Sequence, residues 1–146
     1  MSEPDKRKDR VARRVALWTL FAMDVTCSEP EPLMTDLFST AMDLEEGAPE
    51  VWEHVESRVL GVFERLDLLN EEIQELSPRW RLGRMGTIDR NLLRLGAWEI
   101  LQEFRRPVEV INDCVELAKE YGEKTTPGFV NGLLDQLCKN HGIRVG

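Results

Sequence analysis

The chain has 146 residues, enough for one folding unit to bury a core without disulfides or metals. Its net charge of −8 argues by itself against a nucleic-acid binder, while Cys27, Cys114 and Cys138 lack the close paired spacing of disulfide frameworks and metal sites, and His54 and His141 are isolated. The start has no signal-peptide core and no run is long enough to span a bilayer, so a cytoplasmic protein without membrane contact is expected.

Charge is uneven along the chain. Residues 1–14 hold six Lys/Arg against three acids, a balance of +3 that leaves −11 on the remaining 132 residues. This basic stretch, Lys6, Arg7, Lys8, Arg10, Arg13 and Arg14 interleaved with Glu3, Asp5 and Asp9, opens a helix expected from about Asp5 to Thr26. Ala12, Ala16, Leu20 and Met23 form one apolar stripe and Val11, Val15, Trp18 and Ala22 another, both facing a core. Arg10, Arg14, Leu17 and Phe21 fall on a third face, where a basic patch runs into an apolar pair.

The segment 28–32, SEPEP, interrupts that helix, because proline removes a donor and restricts the residue before it. A second helix is expected from about Leu33 to Glu46. Gly47 and Pro49 introduce a third, carrying Val51, Val55, Val59, Val62 and Leu66. Asn70 is expected to cap a short fourth helix through about Leu76. Between Glu29 and Glu75 there are 14 acids and only Arg58 and Arg65 as bases, which implies solvated, RNA-repelling faces.

The connection 77–86, SPRWRLGRMG, reverses the sign, with Arg79, Arg81 and Arg84 around Trp80. Arginine beside an aromatic can contact phosphate and stack on bases, but a structural role in which it packs the tryptophan is favoured. Next comes Thr87 to Phe104, TIDRNLLRLGAWEILQEF, with Thr87 as N-cap and Asp89 in the first turn. From Leu92 to Leu101 only Arg94 and Glu99 are charged, so this is a buried helix around which the others pack. A sixth helix, about Val110 to Tyr121, should end on Gly122 as a left-handed cap. Thr126 is expected to cap a seventh with Pro127 at its first position, carrying Phe129, Val130, Leu133, Leu134 and Leu137. Asn112, Asp113 and Asn131 are expected to hydrogen-bond neighbouring helix ends, with Asn131 buried, and the tail 141–146 to fray.

Helical spacing throughout, with hardly any period-two alternation, gives an all-α fold in one domain over residues 1–146. No phosphate-binding glycine loop, GxSxG, HExxH or CxxC is present. No enzymatic activity, cofactor or metal is therefore expected.

Four blocks, RVARRVALWTLFAMD, DRNLLRLGAWEIL, INDCVELAKEYG and FVNGLLDQL, resemble in order the NusB family of transcription antitermination factors. That resemblance implies about seven helices in two packed sub-bundles, roughly 5–70 and 71–141. It also implies binding of boxA-type single-stranded RNA as a heterodimer with the ribosomal small-subunit protein NusE, within an RNA polymerase antitermination complex on ribosomal RNA operons. The family's RNA arm then falls on Lys6, Arg7, Lys8, Arg10, Arg13 and Arg14, with Arg81 and Arg84 as secondary contacts. Leu17, Phe21 and Asp89 are partner-facing, and Asn112, Phe129, Asn131 and Gly132 belong to the structural signature. The alternative is a protein-only helical adaptor or homodimer without direct RNA contact.

Overall fold

The structure is a computed structural model that describes residues 6–146 and, within them, every side chain but that of Met42. The expected helix start at Asp5 and the acids Glu3 and Asp5 of the arm lie outside the described residues. Seven α-helices follow: α1 (Lys6–Thr26), α2 (Pro30–Leu44), α3 (Ala48–Glu64), α4 (Leu66–Leu76), α5 (Thr87–Leu101), α6 (Pro107–Tyr121) and α7 (Thr126–Asn140). A 3-10 turn at Leu82–Arg84 precedes α5, and no strand occurs among the described residues.

Helix α5 is the hub. From Asn91 to Ile100 every residue but Arg94 is buried, which follows from its lack of a wide polar face. Helices α1–α3 pack on one another, α4–α7 do likewise, and α1 and α3 dock on α5 to join one continuous core. Two glycines permit close approaches between helices. A Cβ at Gly61 of α3 would collide with the indole of Trp98, and one at Gly96 would meet Leu134 Cδ1 at 2.7 Å and Cys114 Sγ at 3.3 Å.

Several boundaries differ from expectation for local reasons. Helix α2 begins at Pro30 rather than after the proline pair, because the first-turn N–H groups lack intrahelical partners anyway. Asn70 lies inside α4 rather than capping it, and its Oδ1 accepts from Arg94 Nε at 2.9 Å. Thr87 is the first residue of α5, not its cap, and α5 closes at Leu101. There Glu103 takes the left-handed conformation (φ 53°), Glu103 N–H donates to Ile100 O and Phe104 N–H donates to Glu99 O.

The glycine that closes a helix C-terminus in that conformation is Gly142 (φ 66°), not Gly122, whose backbone is extended. Gly142 N–H bonds to Lys139 O and Ile143 N–H to Cys138 O, the paired bonds of a Schellman ending. The tail does not fray at this point: Ile143 and Val145 pack against the core. Gly122 instead makes room, since its Cβ would lie 2.7 Å from the Thr126 side chain.

Candidate nucleic-acid interface

Helix α1 carries charge on two faces with opposite fates. Asp9 and Arg13, four residues apart, point inward and are buried. Arg13 is 1% exposed, and its Nε and Nη2 donate to the two carboxylate oxygens of Glu99 at 2.8 and 2.9 Å while Nη1 donates to Asp113. Arg58 also reaches Glu99, at 3.1 and 3.2 Å, and donates to Asp9 Oδ1 at 3.1 Å. Arg105 donates to Asp9 Oδ2 at 2.9 Å and lies over the Phe104 ring. Three arginines and three carboxylates thus neutralise one another inside the fold and tie α1 to α3, α5 and α6. The assignment of Arg13 to RNA is therefore corrected: a guanidinium buried against two carboxylates cannot reach a phosphate.

The protonation equilibria follow this geometry. Burial alone would raise the Asp9 carboxyl, but the hydrogen bond from Arg105 and the charges of Arg58, Arg105 and Arg13 outweigh it and hold its pKa below the ordinary value. Arg13 is raised, its loss of solvent more than offset by Glu99. Asp113 goes the other way: burial pushes it up, Glu99 adds to that, and Arg13 does not restore it. The Cys114 thiol, buried beside Glu99, is pushed up to about 12 and is chemically quiet.

The outward face of α1 reads Arg7, Arg10, Arg14, Trp18, Phe21, Val25 at three- and four-residue spacing. Arg10 is exposed and makes no ion pair among the described residues, with Asp113 the carboxylate it faces. Arg14 bridges Glu45 at 3.3 Å and Glu120 at 2.8 Å, leaving its Nε without a hydrogen-bond partner among the described residues. Lys6 lies 3.6 Å from Glu109, and Arg7 and Lys8 share a hollow with Glu46 and Glu50. The acidic body therefore offsets much of the arm's charge. Phe21, 38% exposed, continues the face as expected, whereas Leu17 is 1% exposed and belongs to the core. Half-buried Trp18 and exposed Val25 take the place assigned to Leu17; the signal was the four-residue step from Arg14 to Trp18.

Below Phe21, Asp24 accepts from Arg90 Nε at 2.6 Å, Asn91 Nδ2 at 2.9 Å and Arg94 Nη1 at 3.1 Å, locking the end of α1 to α5. Asp89 is half-buried, and Thr126 Oγ1 donates to its Oδ1 at 2.8 Å, so this carboxylate also fixes α7. Arg81 and Arg84 are exposed beside Arg79. Trp80 is 56% exposed, against the packing role expected of it. Their loop is shaped by Gln74, whose Nε2 donates to Ser77 O and Trp80 O and whose Oε1 accepts from Leu82 N–H.

The signature residues divide. Phe129 packs on the core, but Asn112, Asn131 and Gly132 are exposed. The buried, helix-bonding role expected of Asn131 is corrected, as is that of Asn112. Each occupies the outer position of a helix whose inner stripe is shifted by one residue: Ile111 and Cys114 on α6, Val130 and Leu134 on α7. Among the described residues no group of His, Cys, Asp and Glu is placed to hold a metal, and no helix is long and apolar enough to cross a membrane.

Comparison with known proteins sets this geometry in context. The profile of the NusB family matches residues 10–139. A transcription antitermination protein NusB of Sorangium cellulosum is 40% identical over 131 residues, covering 89% of this chain and 91% of its own. The structure of T. maritima NusB superposes with a TM-score of 0.74 at 29% identity, over 95% of this chain and 93% of that one. A structure described as antitermination factors NusB and NusE in complex with dsRNA shares the fold at TM-score 0.81, with 24% identity and coverage of 92% and 98%.

Proposed function

This chain belongs to the NusB family of transcription antitermination proteins, which are not enzymes, and from that premise we propose that it binds boxA-type single-stranded RNA as a heterodimer with the ribosomal protein NusE, in support of ribosomal RNA operon transcription. The observation that carries this reading is the outward face of α1, where Arg7, Arg10 and Arg14 run directly into Trp18, Phe21 and Val25. The basic half suits phosphate and the apolar half suits a protein. RNA engages Arg10 with Lys6, Arg7 and Lys8, Arg81 and Arg84 adding contacts from the loop before α5. The ribosomal protein covers Phe21 and reaches the start of α5 near Asp89. That the fold recurs in a protein solved with NusE and dsRNA is consistent with this reading.

Because Glu45, Glu46, Glu50, Glu109 and Glu120 crowd the arm, a cationic partner is needed to make the combined surface attractive to RNA. Two ligands on one helix face support each other's binding. The test is titration of a boxA-type RNA with and without the ribosomal protein, for the wild type and for Phe21→Asp. Phe21→Asp should abolish association with the ribosomal protein and with it the enhancement of RNA binding, leaving helical circular dichroism and melting intact. RNA affinity indifferent to the ribosomal protein would favour the adaptor reading instead, and unfolding of Phe21→Asp would return Phe21 to the core.

A further inference from the structure

A cleft opens at the N-terminal end of α1, away from Phe21, between Lys6, the 103–107 connection and the tail after α7. Helices α1 and α6 run parallel here, since Lys6 pairs with Glu109 and Arg14 with Glu120. The first described turn of α1 and the N-terminal turn of α6 therefore meet at the cleft, where the positive end of the α6 dipole lies. Its floor is apolar, with Phe104, Pro107 and Ile143, and its walls carry Lys6, Arg106 and Arg144.

These cations are not equivalent to the buried ones. Arg105, the neighbour that also lines the cleft, is committed to Asp9 and to Phe104 O. Arg106 and Arg144 are exposed and form no hydrogen bond or ion pair through their side chains among the described residues. Lys6 is held only loosely, 3.6 Å from Glu109 with its side chain 68% exposed. Glu103, exposed and in the left-handed conformation, also lines the cleft and is its one carboxylate without an ion pair among the described residues. Lys6 lies one helical turn before Arg10 of the basic face of α1, so the cleft adjoins that face.

Resting on the RNA-binding reading above, we propose that this cleft is a second RNA-binding station. Arg106 and Arg144 take a backbone phosphate of the single strand held by α1, and the apolar floor beside them receives a base. A guanidinium pair suits a phosphodiester, while the absence of a fixed donor pattern on the floor makes the station tolerant of base identity.

The experiment titrates a boxA-type single-stranded RNA, and the same RNA extended by uridines, against the complex with the ribosomal protein across a range of salt. The variants are Arg106→Ala with Arg144→Ala, Glu103→Gln, and as a control Lys119→Ala with Lys139→Ala, exposed cations elsewhere on α6 and α7. The double arginine variant should bind the extended RNA about tenfold more weakly, with a log–log salt slope shallower by about 1.4 for two lost contacts, and its melting should be unchanged. Glu103→Gln should bind more tightly. An unchanged slope and affinity, with the wild type binding normally, overturns the cleft alone. Equal losses in the lysine control reduce the effect to general attraction and overturn it too. Failure of the wild-type complex to bind either RNA removes the underlying reading along with it.

Discussion

Arg10 and Arg13 stand three positions apart on one helix and do unrelated work. Arg13 neutralises Glu99 and Asp113 in the interior, so Arg13→Ala leaves buried carboxylates short of a partner and should cost about 3–5 kcal/mol of stability. Arg10→Ala should change stability by less than about 0.5 kcal/mol and instead flatten the salt dependence of RNA binding by about 0.7 in slope. Urea denaturation and RNA titration of the two variants separate the roles; the reverse pattern would place Arg13 at the surface. In sequence the two are indistinguishable, because both lie in a basic run and the carboxylates that claim Arg13 are distant along the chain. Asn131 shows the same blind spot from the other side: an asparagine among apolar residues reads as buried until the inner stripe of α7 is fixed by Val130 and Leu134. Phe21 was legible because its face was polar upstream and apolar downstream, a change no core stripe shows.

Helix positions were legible from punctuation by proline and glycine, and the closed apolar surface of α5 identified the hub. Endings were less so, because left-handed caps are written by backbone geometry that several residue types can adopt. Glu103 closes α5 at φ 53°, a conformation that strains an L-residue by roughly 1–2 kcal/mol, part of which glycine returns as unfolded-chain entropy. Glu103→Gly should therefore stabilise the protein by up to about 1 kcal/mol. Gly142→Ala, at φ 66°, should destabilise it by about 1 kcal/mol. Thermal melts of both variants check the pair, and a Glu103→Gly melt below that of wild type would show that the carboxylate has a structural partner.

At the scale of the whole molecule, acid stability reports the ion network. Asp9 and Asp24 have pKa values held below 3.8 in the folded chain, so their stabilisation is complete above 3.8 and is lost as pH falls through the lowered values. Asp113 has the opposite sign, since its raised pKa means that its ionised form is held at a cost near neutral pH. Asp9→Asn should therefore lower the melting temperature at pH 7 more than Asp113→Asn, and should flatten the loss of stability below pH 3.8. Equal losses at pH 7 would show that the two carboxylates are equivalent. The same network also sets an order of events. Arg13 and Glu99 are separated by 86 positions, and Arg13 and Asp113 by 100. On a ribosome, α1 emerges before α5 and α6, and Arg13 lacks its buried counter-charges until those helices have been made. The helix that bears the arm is thus made before the helices that secure it, and a nascent chain halted before Glu99 would present Arg13 without the carboxylates that bury it.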